Sequence, residues 1–177
     1  MTAPLRPAAT KAYLRKKIIL VKDPAYDPAA PSLAILNGAS ALDVTNMFFT
    51  SSAKPDQSTN MARAPKRVGD GVTYEFVGET QSSIGEVRYA VDPQAAALSD
   101  GVKCMEFLPE GTTGYYVCRY GIDRDTNLAT TQRVTSRPFE AGPQLEDEEG
   151  DAEGAEMAIK QALAATGPQS MRKAIVA

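Results

Sequence analysis

The chain has 177 residues, enough for one domain with a real core, and its 43% hydrophobic and 23% charged content is that of a globular protein. It has no histidine, only two cysteines (Cys104 and Cys118) and no apolar run near the roughly 18 residues that span a bilayer; this excludes the commonest general base, a disulfide framework, a zinc-ligand pattern and a membrane-spanning helix. The net charge of −3 is uneven, with seven acids and no base between Glu146 and Glu156, while the remaining 15 acids face 19 bases.

From the start of the chain, three prolines and several alanines predict an extended arm over residues 1–16. It has no apolar stretch ahead of its basic residues, which predicts a protein made in a cytoplasm without export. Four apolar residues bracketed by charge, from Lys17 to Lys22, predict a buried strand. A proline-rich connection follows from Asp23 to Pro31, unsuited to helix or central strand. Leu33-Ala34-Ile35-Leu36 is a second short apolar run, stopped by Asn37-Gly38, and Leu42, Val44 and Met47-Phe48-Phe49 suggest a further strand. Thr50 to Pro65 is polar, with prolines and almost no periodicity, and predicts a protruding loop.

The middle of the chain carries the clearest β signal. Val72, Tyr74 and Phe76 alternate with Thr73, Glu75 and Val77, and Val87, Tyr89 and Val91 with Glu86, Arg88 and Ala90, predicting two half-buried antiparallel neighbours with one polar face. Asp92-Pro93 reads as a helix start, with Leu98, Val102 and Met105 on one side and Pro109 as the stop. Residues 110–114 predict a turn, Tyr115 to Ile122 a strand, and Gln132 to Glu140 a final strand whose end Pro138 places at an edge. After Pro143 the acidic run predicts a flexible linker, Ala152 to Ala165 a helix, and Met171 to Ala177 a strand that could join an existing edge.

The chemistry-bearing patterns are weak. Gly69-Asp70-Gly71 precedes a strand and reads as a hairpin turn, not a phosphate loop. Asp123, Asp125 and Asn127 have the spacing of a calcium loop, but Leu128 stands where glycine is required and the twelfth-position glutamate is missing. Cys104 reads as a small buried hydrophobe. Arg63, Lys66 and Arg67 form a small basic patch without a stacking motif beside it. No catalytic, cofactor or metal residue is assigned, so a non-enzymatic, β-rich structural subunit is expected. Glu75 and Glu86, on polar strand faces, read either as solvent-facing residues or as the lining of a pore that does not hold phosphates. The basic stretch Lys11, Arg15, Lys16, Lys17 and Lys22 and the acidic run read either as solvated surface or as opposite-signed ends attracting in a head-to-tail assembly; Lys16, Lys17, Glu148 and Glu149 are the contact candidates.

The stretch ARAPKRVGDGVTYEFVGETQSSIGEVRYAVDPQ, then a helix, then LPEGTTGYYVCRYGIDRDTN and TQRVTSRPFEAGPQ, resembles the major tail tube proteins of long-tailed bacteriophages infecting actinobacteria, over roughly Ala41 to Gln144. The resemblance implies a mainly β fold: a tail-tube-type β-sandwich or barrel over residues 17–144 with one flanking helix, a long protruding loop at 50–65 and extended terminal arms. Residues 145–177, an acidic linker and C-terminal helix or arm, lie beyond the part that aligns. It further implies a virion protein whose copies form stacked hexameric rings, with double-stranded DNA passing through the lumen without specific binding. Tape measure, terminator and distal tail proteins would be the other partners, and no membrane is involved. Lys54, Asp56 and Arg63 in the loop would then touch the adjacent ring. A tail terminator, a decoration protein and a small β-barrel binding module are the alternatives.

Overall fold

In the computed structural model, residues 14–52, 54–69, 71–92, 94, 99–150 and 152–177 are described. Most of the predicted N-terminal arm, with Lys11, lies outside the described residues, as do Asp70, Pro93, Leu98 and Asp151.

Strand β1 (Lys16–Val21) shows why its apolar run is continuous: Ile18 and Leu20 enter one hydrophobic cluster, while Ile19 and Val21 enter a second on the reverse face. On one side β1 pairs antiparallel with β2 (Ala41–Asp43) and on the other with β6 (Thr113–Tyr120), in the register Lys16 to Tyr120 and Val21 to Tyr115. The long strand β7 (Arg133–Glu149) follows β6, then β8 (Glu156–Ala165) and β5 (Gly85–Ala90); β9 (Ser170–Ala174) pairs with the first part of β7. The fold is mostly β, as expected, but the seven-stranded sheet is not closed into a barrel. Residues 44–49 span the gap between its two ends: Val44 N–H donates to the Ile18 carbonyl at 3.0 Å, and Phe49 N–H to the Arg88 carbonyl at 3.0 Å.

The larger cluster lies on the face carrying Tyr89, Tyr116, Phe139 and Leu163, and helix α2 (Asp100–Phe107) covers it with Val102 and Cys104. Burial pushes the Cys104 thiol up to about 12, so it behaves as the expected hydrophobe. The reverse cluster gathers Tyr26, Leu36 of the one-turn helix α1 (Leu33–Leu36), Leu128 and Ile175.

Several expectations need correction. The run Leu33 to Leu36 is a helical turn, not an extended segment. Within the predicted loop at 50–65 lies strand β3 (Asp56–Arg63), paired with β4 (Glu75–Ser83) in a separate two-stranded sheet. Strands β4 and β5 are not paired neighbours. A hairpin needs at least about two connecting residues, whereas Ile84 alone separates these strands; β5 pairs instead with β8. Pro138 is not at an edge. Its carbonyl accepts the Thr166 N–H at 3.2 Å, in the gap on one side of β7 between β9, whose pairing ends at Ser136, and β8, whose pairing begins at Phe139. A missing N–H costs no ladder bond there.

The largest correction concerns residues 145–177. The acidic run is not a linker: β7 crosses the expected boundary at 144 and continues to Glu149. The expected helix at 152–165 is β8, held between β5 and β7. Its Ala, Met, Lys, Gln and Leu favour helix by tenths of a kcal/mol each. Hydrogen-bonded ladders on both sides, with Ile159, Gln161 and Leu163 buried, outweigh that preference.

Candidate assembly surface

The β3–β4 arm departs most from a self-sufficient fold. Every residue of β3 is exposed, as is every residue of β4 except the half-buried Ser82. Above the Asp56–Ser83 pair its inner half is polar and uncharged, with Gln57, Ser58 and Thr59 opposite Ser82, Gln81 and Thr80, and the two threonine hydroxyls 3.1 Å apart. Its outer half carries large apolar side chains: Met61 and Tyr74 are 63% exposed, Phe76 61% and Val77 74%. Met61 pairs with Val77, and the next pair is Ala62 with Phe76. Successive residues of a strand point to opposite faces, so both faces of the outer half are apolar. A two-stranded ribbon is marginal by itself, and its outer edges have no strand partner among the described residues.

The arm's root is fastened. Ser51 Oγ donates to Glu149 Oε1 at 2.6 Å, and Ser52 Oγ donates to the Phe49 carbonyl at 2.7 Å. On the return strand, Ile84 is buried and Gly85 turns the chain at φ +88°, in the left-handed region that favours glycine. Gln169 donates its side-chain amide to Gln57 near the base. Beside the root, Arg88 bridges Glu149 at 2.6 Å, Glu86 at 3.0 Å and Asp147 at 3.6 Å, and Lys160 reaches Glu86 at 3.2 Å. Desolvation would raise the Glu86 carboxyl, but Arg88 and Lys160 outweigh it and hold it below its ordinary value. Hydrogen bonds from Ser51 and Arg88 do the same for Glu149.

The structure places the other predicted residues as follows. Glu75 begins β4 opposite Arg63, at the far end of the arm from Glu86. Lys54 precedes β3, and Asp56 opens it, accepting the Gln57 N–H at 2.8 Å. Lys16 lies in β1; Lys17 is engaged within the chain, by Asp43 at 2.8 Å and the Arg124 carbonyl at 3.2 Å. Glu148 is exposed on β7.

Two internal polar anchors escaped sequence reasoning. Arg119 is 1% exposed, and its guanidinium donates to the carbonyls of Asp123, Thr126 and Asn127 at 2.6, 2.9 and 3.2 Å and to Gln132 Oε1 at 3.0 Å. The loop with calcium-like spacing is wrapped around a guanidinium. Gln161, also 1% exposed, donates to the carbonyls of Leu108 and Gly142, and Gln144 to those of Met105 and Leu108, satisfying the otherwise open C-terminal end of α2. Neither anchor has a local sequence signal, because its partners are distant in sequence or are backbone atoms.

No helix among the described residues is long and apolar enough to cross a membrane. No curated protein matches the chain. Among solved structures it is similar to the SPP1 tail tube, determined by solid-state NMR and cryo-EM, with a TM-score of 0.45 and 14% identity over 93% of this chain and 80% of that one. The sequence profile described as phage tail tube protein matches residues 4–177. A match of that extent shows that the chain belongs to the phage tail tube protein family and is a structural component of the virion.

Proposed function

We propose that copies of this chain assemble, six to a ring and ring upon ring, into a tail tube whose lumen conducts the genome to the host without binding it specifically. The uncovered arm carries this reading. A ribbon apolar on both faces and open at both edges gains stability only by being covered, and copies of the same chain are the covering available in a tube. Lys54, Asp56 and Arg63 then contact the adjacent ring, with Lys16, Lys17, Glu148 and Glu149 as further contacts, and the tube ends meet the tape measure, terminator and distal tail proteins. Glu75 and Glu86 are the proposed lining residues. Around Glu86, Arg88 and Lys160 are already matched by carboxylates, which suits a wall that does not retain phosphates.

Sedimentation and negative-stain electron microscopy of the purified chain over a concentration series test this reading. Rings and tubes that grow with concentration are expected; a monomer at every concentration overturns it.

A further inference from the structure

The arm's outer half carries exposed cations as well as apolar surface, with Glu75 opposite Arg63. Arg63 and Lys66 are exposed there, beside Met61, Tyr74, Phe76 and Val77. A surface of the opposite character lies elsewhere on the same chain. Beyond the end of β5, a cleft of about 420 Å³ is lined by Ala90, Val91, Gly101 and Met157 and rimmed by Asp92 and Glu156. Next to it lie Glu148, near the end of β7, and Glu153, in the connection from β7 to β8, both exposed. The cleft is apolar inside and acidic at its rim; the arm's outer half is apolar and, over residues 61–77, carries three bases against two acids.

One copy cannot join its own two surfaces. Strands β4 and β5 run on with only Ile84 between them, and Ala90, which pairs with Ala158, is 15 residues from Glu75. At about 3.3 Å per residue that is up to roughly 50 Å of chain. The base of the arm meets Gln169 through Gln57, just past the end of β8 opposite Glu156, and the exposure of all of β3 shows that the arm does not fold back across the sheet. Complementary patches at opposite ends of one molecule make a heterologous contact, which repeats as an open stack instead of closing into a dimer.

We propose that the acidic-rimmed cleft between the end of β5 and the start of α2 receives the arm of a second copy, with Phe76 and its apolar neighbours entering the cleft and Arg63 and Lys66 facing Glu153 and Glu156. This rests on the self-assembly reading and adds to it the acceptor and the direction of the contact.

Charge exchange tests it. Arg63→Glu with Lys66→Glu reverses the arm, Glu153→Lys with Glu156→Lys reverses the cleft, and a third protein carries all four changes. The four side chains are exposed, so melting temperatures near wild type are expected and serve as the folding control. Each reversal alone should raise the concentration at which tubes form by about tenfold or more, and the four-change protein should return to within about threefold of wild type. Carbodiimide cross-linking of wild-type tubes grown from mixed isotope-labelled and unlabelled chains should join Lys66 of one chain to Glu153 or Glu156 of another. Reversals that assemble like wild type, or cross-links from Lys66 only to acids elsewhere, overturn the docking while leaving the tube intact. A wild-type chain that never assembles overturns the tube reading and the docking with it.

Discussion

A methyl group on Gly101 would collide with the Ala90 carbonyl oxygen and stand 3.0 Å from the Val91 Cα, both backbone atoms of the strand end beneath α2. By helix propensity alone, Gly101→Ala would stabilise α2 by about 1 kcal/mol. Overpacking against backbone costs about 1–3 kcal/mol and has no flexible side chain to absorb it. Net destabilisation is expected, read as a lower urea midpoint with an unchanged slope. The pair of Lys17 and Asp43 yields a pH prediction. Burial alone would raise the Asp43 carboxyl, but the Lys17 ammonium and the Thr45 hydroxyl and amide outweigh it and hold it below its ordinary value of 3.8. A lowered folded value means that the contribution is complete above the unfolded value and is lost as pH falls through the folded one. Asp43 is nearly half exposed, so the contribution is about 0.5–1 kcal/mol at most. Asp43→Asn should therefore lower the urea midpoint at pH 7, and its gap from wild type should narrow as the pH drops below 3.8; a gap that persists at the lowest pH would contradict this assignment.

Among the elements, the arm is the one that can be removed cleanly. Asp56 and Ser83 face each other across its base, at the roughly 5 Å separation of directly paired residues. Replacing residues 57–82 with Asn-Gly, which suits a two-residue hairpin turn, leaves the seven-stranded sheet untouched. That protein should melt within a few degrees of the parent and form no tubes in micrographs; tubes of ordinary diameter would show that the arm is dispensable. The elements also differ in how well they were legible. Strand β5 was, because Val87 and Tyr89 alternate with Glu86 and Arg88 at period two. Strand β8 was not, because Lys160 and Gln161 owe their positions to β5 and β7, far away in sequence. Strand β3 was hidden for a related reason: both faces are exposed in one copy, so no core imposed an alternation.

At the scale of the whole molecule, a well-packed body carries an unburied extension. Strand β6 and β7 up to Ala141 have neighbours on both sides and clusters on both faces, and local opening there should cost nearly the full unfolding free energy. The arm has neither. Amide exchange of monomer at low concentration should accordingly be fast in β3 and β4 and slow in β6 and in β7 up to Ala141. On assembly the arm amides should become protected while the body changes little; an arm as slow to exchange in monomer as in tubes would contradict its coverage by other copies.

Composition and local pattern by themselves determined the mostly β character, the buried strands β1 and β6 and the absence of histidine chemistry, because each depends on residue types or on neighbours a few positions apart. Tertiary structure decided that the acidic stretch is a strand, that Glu149 serves Arg88 within its own chain, and that the exposed apolar arm and the acidic-rimmed cleft lie beyond opposite ends of β5. Those outcomes depend on which distant strands pair, and a ladder on each side of β8 overrides preferences worth only tenths of a kcal/mol per residue.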